Sequence, residues 1–309
     1  MIFVTEKSRG ILAKLALLSA TIIWGSTFFI MEDAIKNIGI FTLLAFRFIG
    51  AGILLGAILH KKLKNIDRSY LLCGAIMGVF VISAYIAQTY GLKDDGTTAG
   101  KNAFLTAIYC IIVPFMFWGV AKVRPDGYNI IAALLCLFGV TLVSMDGSGF
   151  GSICKGDWLT LLGGVFYACH MVSVSIFSKN RDVLLLTAIQ FITAGLIALV
   201  PALMFDKMPQ SFPMSGVTAI LYLTVMATCV CYILQNVGQK FTPPSSAALI
   251  LSLEAVFGVI FSMIFSGERL TFRLFMGFAV IFAAIIISEL KPKLSLKSAR
   301  KKSVRSFCD

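Results

Sequence analysis

The sequence predicts an all-α polytopic membrane protein with ten transmembrane helices, arranged as two five-helix inverted-topology repeats. Three observations predict this fold class. The chain is 58% hydrophobic and only 14% charged, whereas soluble domains are about 45–50% apolar and about 25% charged. Apolar runs long enough to cross a bilayer follow one another along the chain. A nine-residue pattern occurs twice, at Tyr85–Lys93 and Tyr232–Lys240.

The apolar runs define ten predicted spans of about 19–25 residues, and each can cross ~30 Å of hydrocarbon at 1.5 Å per residue. Short connectors rich in glycine and proline separate the spans. The first span is too long for the apolar core of a cleavable signal peptide, so we expect it to be retained. The spans cover residues 11–31, 40–59, 69–92, 97–119, 127–145, 156–178, 183–204, 215–239, 243–265 and 271–290.

The basic residues predict the orientation. With the N-terminus in the cytoplasm, eighteen lysines and arginines fall on the inner side, counting the tail 291–309, and six fall on the outer side. The positive-inside rule then places both termini in the cytoplasm, and we expect the protein in the cell (inner) membrane. The tail either contacts anionic lipid headgroups or is simply solvated.

The composition also argues against several other functions. The net charge is +12, and most of the basic residues lie in short segments between apolar runs. The chain has no zinc-finger or RNA-recognition signature, so nucleic-acid binding is not expected. The eight cysteines lack metal-ligand spacing, and no metal or cofactor is predicted. The lipid bilayer is the expected partner. The oligomeric state stays open, a homo-oligomer included.

The repeated pattern belongs to a duplication of the whole chain. YIAQTYGLK and YILQNVGQK share Tyr, Ile, Gln, Gly and Lys at the same spacing. Ala45–Gly52 and Ala188–Gly195 are identical at five of eight positions. We therefore predict a first repeat at 11–145, a second at 156–290 and a basic tail at 291–309. Because each repeat has five spans, the second must enter the membrane from the opposite side.

Inverted repeats are typical of secondary transporters, whose substrate sites lie near the bilayer midplane between the two halves. Alternating access then follows from geometry, because two nearly equal halves can exchange conformations. A duplication retained only for packing is the alternative.

Five segments resemble the ten-helix EamA-type proteins of the drug/metabolite transporter superfamily. They are WGSTFF (24–29), the Ala-Phe-Arg-Phe of the second span, AGKNAFLTAIY (99–109), AALILSLEAVFG (247–258) and GERLT (267–271). The resemblance implies a bacterial inner-membrane exporter or permease for small metabolites, with a cavity lined by spans 1, 3, 4, 6, 8 and 9. Many relatives have proline after the acid of the ninth span. This chain has Ala255 there, which leaves the expected kink open.

Glu254 is the strongest single candidate for transport chemistry. It lies near the middle of the ninth span, where a carboxylate facing lipid is costly, so we expect it to face the interior, to be protonated or to have a partner. It either couples protons or binds a cation, or it makes a permanent hydrogen bond to a neighbouring helix. Its counterpart in the first repeat is Tyr109, so an acid is present in one half only.

The other candidate substrate or coupling residues are polar or aromatic side chains within the spans. Asn102, Thr106 and Tyr109 share one face of the fourth span, where they line a cavity or join helices. Tyr167 and His170 lie on the sixth span, and His170 is either a proton relay or simply hydrogen-bonded. Trp24, on the first span, could stack on cargo or pack in the core.

Two residue pairs are candidate gates. Tyr85 and Gln88 lie in the outer half of the third span, and Tyr232 and Gln235 lie in the inner half of the eighth.

Two further features of the second span are expected to have a structural role rather than a role in transport. Arg47 is expected to snorkel outward or to pair with an acidic group or a bound anion. Gly52 and Gly56 form a small-residue packing surface on the second span.

Three functions compete. A secondary transporter of small metabolites, such as amino acids or amphipathic compounds, fits the repeat. It is either proton-coupled or a facilitator, which needs no ionisable group. A membrane-embedded enzyme needs a nucleophile and a base for which no motif is present, so an enzyme is not expected. A scaffold or receptor lacks a soluble domain for its output.

Overall fold

The computed structural model describes residues 6–94, 97, 99–144, 154–206, 214–266 and 271–290. The helices are α1 (Glu6–Asn37), α2 (Ile40–Ile58), α3 (Arg68–Lys93), α4 (Ala99–Thr106), α5 (Tyr109–Ala121), α6 (Gly127–Ser144), α7 (Lys155–Phe177), α8 (Val183–Phe205), α9 (Met214–Tyr222), α10 (Cys231–Lys240), α11 (Pro244–Leu251), α12 (Leu253–Ser266) and α13 (Phe272–Leu290). A 3-10 helix at His60–Asn65 follows α2, and a π-helical segment at Leu223–Val230 joins α9 to α10. The predicted tail 291–309 and residues 267–270 of the GERLT segment lie outside the described residues.

All ten predicted spans correspond to helices, and together they form an all-α polytopic membrane protein. Within the described residues, eight helical segments are long and apolar enough to cross a membrane. The fifth and tenth spans, α6 and α13, contain shorter apolar stretches at Gly127–Gly139 and Phe275–Ala284. Three spans are divided: the fourth into α4 and α5, the eighth into α9, the π segment and α10, and the ninth into α11 and α12.

The fourth and ninth spans are interrupted at equivalent positions of the repeat. Between α4 and α5, the N–H groups of Ala107 and Ile108 bond to carbonyls three residues earlier, so the chain tightens locally. Between α11 and α12, the Ala255 N–H likewise bonds to the carbonyl of Ser252 three residues earlier, so the chain tightens in the same way. The ninth span is therefore interrupted although it has no proline after Glu254.

The packing of the helices follows the two-fold relation between the repeats. Helices α2 and α8, which are counterparts, pack on each other, and so do the counterparts α6 and α13. The other contacts occur in matched pairs: α3 with α7 and α10 with α1, and likewise α4 with α12 and α11 with α5. This is the arrangement that two copies of one unit produce when they face each other.

The contact between α2 and α8 is reciprocal at the level of single residues. A Cβ placed on Gly52 would lie 2.5 Å from Ile192 Cδ1, and a Cβ placed on Gly195 would lie 2.5 Å from Ile49 Cγ1. Gly52 and Gly195 are repeat counterparts, as are Ile49 and Ile192. Each glycine thus admits an isoleucine of the other repeat. The expectation for Gly56 was wrong, because nothing lies within 4 Å of a Cβ at that position.

The connection between α7 and α8 is tied to the 3-10 helix. Asp182 caps α8 by accepting from the Leu184 N–H at 3.0 Å, and Lys62 Nζ lies 2.7 Å from its carboxylate. Burial acts to raise the pKa of Asp182, but Lys62 and the Leu184 N–H outweigh it and hold that pKa below its usual value. The resulting stabilisation is present above the unfolded pKa of about 3.9 and is lost as the pH falls through the lower folded value.

Alanine substitution at the glycines of the α2–α8 contact tests the reciprocal packing. Gly195→Ala is expected to lower the melting temperature of the purified protein, because its Cβ would lie 2.8 Å from the Ile49 backbone nitrogen and overpacking costs about 1–3 kcal/mol. Gly56→Ala is the matched control, and it should leave the melting temperature unchanged or raise it, since alanine favours helix. Equal melting temperatures for the two variants would contradict this packing.

Candidate functional site

A cavity of about 610 Å³, the part open to solvent included, lies between the two repeats. All six spans that the resemblance implied contribute to its lining, and the second span adds Arg47. Most lining side chains are apolar or aromatic, and a few polar groups converge among them, as in small-molecule sites generally. Nine predicted site residues line the cavity: Trp24, Tyr85, Gln88, Asn102, Tyr109, Tyr167, Tyr232, Gln235 and Glu254. Thr106 and His170 contact lining residues instead.

Glu254 and Tyr109 meet at the interface of the repeats. Tyr109 Oη donates to Glu254 Oε1 at 3.1 Å, and both side chains are buried. Each residue directly follows the interruption of its span, and the two are repeat counterparts. Counterparts can touch only where the two-fold axis passes, so this hydrogen bond marks the axis. The carboxyl group is thus held at the junction of the halves, beside two breaks in helical hydrogen bonding.

Arg47 is the second charged group in the cavity, and its side chain is fully buried at 0% exposure. Its Nε donates to Thr228 Oγ1 at 3.1 Å, and its other nitrogens reach Met31 Sδ at 3.2 Å and Tyr85 Oη at 3.4 Å. The guanidinium also lies over the Tyr85 ring, 4.7 Å from its centroid. The expectation that Arg47 snorkels outward was therefore wrong. Among the described residues it also makes no ion pair with a carboxylate, Glu254 included.

The π-helical segment of the eighth span orients two groups towards Arg47 and the first span. Thr228 Oγ1 donates to the Leu223 carbonyl five residues earlier at 2.7 Å, and it accepts the Arg47 N–H. The Ala227 carbonyl accepts from Trp24 Nε1 at 2.8 Å. The third span, which is the repeat counterpart, is regular helix from Arg68 to Lys93. The π segment is therefore a departure from the two-fold symmetry, as such segments often are at functional sites.

The polar residues of the fourth span join the third and sixth spans. Gln88 Nε2 donates to Thr106 Oγ1 at 2.9 Å, and Tyr167 Oη donates to Gln88 Oε1 at 2.9 Å. Asn102 Nδ2 donates to the Gln88 carbonyl at 3.0 Å and to Thr160 Oγ1 at 2.8 Å. Both polar atoms of the Gln88 side chain are thus satisfied, and the network connects α3, α4 and α7.

The two tyrosines of the predicted gates lie together. Tyr85 and Tyr232 have ring centroids 6.4 Å apart, and Phe48 and Phe191 pack on them. The placement of Tyr85 in the outer half and Tyr232 in the inner half of the membrane stays a prediction; the structure shows that their rings lie side by side. We define Phe48, Tyr85, Phe191 and Tyr232 as the aromatic cluster. From it, the cavity lining continues along α3 to Leu92, towards the C-terminal end of that helix.

On the other side of the aromatic cluster the bundle is closed. Gln235, at the edge of the cavity lining, is buried together with Asn236 and Gln239 of α10 and with Thr242 after it, and we call these four residues the closed end. Gln235 Nε2 lies 3.4 Å from Gln239 Oε1, and Asn236 Nδ2 donates to Thr187 Oγ1 at 2.8 Å. Each residue of the closed end also carries one buried polar atom without a hydrogen-bonding partner among the described residues.

His170 lies behind the cavity wall. Its Nε2 lies 3.0 Å from Gln190 Oε1, and its ring packs edge-on against Tyr232. Its Nδ1 and Gln190 Nε2 have no partner among the described residues. Gln190 is the repeat counterpart of Arg47, so the two halves present different polar groups at this position. No three His, Cys, Asp or Glu side chains within the described residues could jointly hold a metal ion.

Comparison with known proteins identifies the family. The model of the EamA-like transporter family matches residues 11–145 and again residues 154–290. An uncharacterized transporter of Archaeoglobus fulgidus is 29% identical over 92% of this chain and 88% of its own length. The uncharacterized transporter YwfM of Bacillus subtilis is 23% identical, over 92% and 96%. The uncharacterized inner membrane transporter YedA of Escherichia coli strain K12 is 22% identical, over 89% and 90%.

A solved crystal structure shares the fold, with a TM-score of 0.74 over 90% of this chain and 96% of that one at 15% sequence identity. The family and the relatives' names point to transport across a membrane rather than to enzymatic catalysis. The two matches to one family model coincide with the two halves of the bundle that enclose the cavity. The chain therefore belongs to the EamA-like transporter family.

Proposed function

We propose that this transporter moves small molecules through the central cavity by alternating access, and that a proton on Glu254 couples the movement. The single observation that carries the proposal is the hydrogen bond between Tyr109 and Glu254 on the axis between the repeats. Any exchange of conformation between the halves changes the surroundings of these two residues first. Because only one of the two is an acid, a proton can be taken up and released at one place.

The interruptions of the fourth and ninth spans support this mechanism. Helices α4 and α5 have separate hydrogen-bonded ladders, and so do α11 and α12. Half-helices of this kind can tilt independently about the break without losing their internal bonds. Broken helices at the repeat interface are the usual way in which transporters build a midplane site.

The closed end supports alternation between two states. A buried polar atom without a partner destabilises the fold by about 1–3 kcal/mol, and the closed end has four. At the other end, the equivalent Gln88 has both side-chain atoms bonded, and the Oδ1 of neighbouring Asn102 is the one orphaned atom of that network among the described residues. Water can satisfy the orphaned atoms when this end opens. Hydration of these atoms would then favour opening of this end.

The distribution of basic residues supports placement in a cell membrane with both termini inside. The cavity then continues towards the outer side, and the closed end faces the cytoplasm. Direction of net transport does not follow from this placement, because both exporters and importers pass through both states.

Cysteine labelling in intact cells tests the inverted orientation. In a background carrying Cys154→Ser and Cys308→Ser, Lys93→Cys should react with a membrane-impermeant maleimide. Lys179→Cys should react only after the cells are permeabilised, because both lysines are exposed but α3 and α7 end on opposite sides. Labelling of both sites in intact cells would contradict the orientation.

Substitution of the acid tests coupling. In proteoliposomes, Glu254→Gln is expected to abolish cargo accumulation driven by a pH gradient, because the amide cannot carry the proton, while exchange of cargo at equal pH persists. Tyr109→Phe is the matched control, since it removes the hydrogen bond but keeps the acid, and it should retain gradient-driven accumulation. If Glu254→Gln still concentrates cargo against a gradient, coupling through this residue is wrong.

Isosteric replacement in the closed end tests alternation. Thr242→Val removes an orphaned hydroxyl, so the melting temperature should rise, by an amount reflecting about 1 kcal/mol, and cargo flux should slow because this state becomes more stable. Thr187→Val is the control: its hydroxyl is bonded to Asn236 and to the Val183 carbonyl, so its loss should lower the melting temperature. A Thr242→Val variant with a lower melting temperature and faster flux would contradict the mechanism.

A further inference from the structure

Arg47 has more hydrogen-bonding capacity than its surroundings satisfy. A guanidinium carries five N–H donors in a planar fork and remains protonated in proteins. Its contacts are one hydroxyl at 3.1 Å, one phenol at the long distance of 3.4 Å and one thioether, which is a weak acceptor. Three acceptors for five donors leave at least two N–H groups without a protein partner among the described residues.

The charge of Arg47 is equally uncompensated. The side chain has no exposed surface, and among the described residues no carboxylate forms an ion pair with it. A buried cation without a counter-ion is strongly unfavourable, and buried charges are normally paired. Glu254 lines the same cavity, but its carboxylate is engaged by Tyr109. The cavity wall therefore holds a cation for which the described residues supply no counter-ion in contact.

The repeat indicates that this cation is not needed for folding. At the equivalent position of the second repeat, Gln190 fills the same place in the α2–α8 contact, and it is equally buried. The groups that hold Arg47 also depart from the symmetry, because Thr228 belongs to the π segment, whereas its counterpart Val81 belongs to regular helix. The shared architecture does not require this charge, and a local distortion orients it. Both features are expected of a specific ligand site.

The rest of the lining defines the other end of the ligand. Trp24, Phe28, Tyr167 and Met171 line the cavity with Arg47, and they offer aromatic and thioether surfaces rather than further charges. Such surfaces favour an apolar or aromatic body. A fork-shaped cation recognises a carboxylate through two parallel hydrogen bonds, which gives both strength and orientation.

We propose that Arg47 receives the carboxylate of the cargo, and that the cavity binds small amphipathic carboxylates with an aromatic or aliphatic body. The inference rests on the proposed function for its biological meaning, but the binding step itself can be measured without transport. The carboxylate lies against the guanidinium beside Tyr85, and the apolar body extends along α1 and α7.

Thermal unfolding of the purified full-length protein tests the proposal with matched pairs of probes. The acids are 3-phenylpropionate, indole-3-acetate and octanoate, and each is compared with its own primary amide. A ligand that binds the folded state raises the melting temperature in a concentration-dependent way. At least one acid should do so, and its amide should need a roughly tenfold higher concentration for the same shift, which corresponds to about 1.4 kcal/mol.

Variants of Arg47 assign the preference to this residue. Arg47→Gln should abolish the difference between acid and amide, and Arg47→Lys should weaken acid binding, because an ammonium keeps the charge but not the fork. Gln190→Leu, at the counterpart position outside the cavity lining, should keep the preference for the acid. The comparison of acid with amide in the wild-type protein needs no variant, so the test holds even if Arg47→Gln fails to fold.

Three results overturn the proposal: amides that stabilise as well as acids, a preference for acids that persists in Arg47→Gln, or no stabilisation by any acid of the panel. If amides bind and are carried in proteoliposomes, the carboxylate inference fails while the transport mechanism stands. If acids bind through Arg47 but Glu254→Gln still concentrates cargo against a gradient, the binding site stands while the proposed coupling fails.

Discussion

The absence of water from the bilayer core is the constraint on which the rest of this structure depends. A polar group within a span must find its partner inside the protein. The chain meets this requirement by turning its polar side chains towards the interface of the two repeats, where Tyr109 and Glu254 bond across the axis. The cavity lies at the same interface.

The fold could be predicted largely from the sequence because its determinants are local or repeated. Apolar run length sets the spans, and the duplicated pattern at Tyr85–Lys93 and Tyr232–Lys240 sets their relation. The interruption at Ser252 could not be predicted, since no proline marks it and a serine with the same side-chain bond to the carbonyl three residues earlier lies within the continuous helix α1. The π segment at Leu223–Val230 could not be predicted either, because all of its residues are compatible with an ordinary α-helix.

The geometry of the candidate site could be predicted only in part from the sequence, and Arg47 shows why. Its depth along a single helix suggested snorkelling, whereas its position is decided by Met31, Tyr85 and Thr228 on three other segments. The comparison of the two repeats could have indicated its role. Arg47 is the repeat counterpart of the neutral Gln190, so the shared fold does not require a cation at this position. Likewise, the contact between the rings of Tyr85 and Tyr232 depends on how the third and eighth spans are placed in the bundle, which the sequence of either span does not specify.

The duplication divides the residues of this protein into two groups with different constraints. Counterparts that agree, such as Gly52 and Gly195, support packing that both halves need. Two pairs of counterparts that differ in charge lie in or beside the cavity: Tyr109 with Glu254, and Gln190 with Arg47. A symmetric pair of halves offers two equivalent end states, but transport in one direction requires that these states bind cargo and coupling ion differently. The departures from symmetry supply that difference, since they place the only acid and the only cation of the described cavity lining on single sides of the axis.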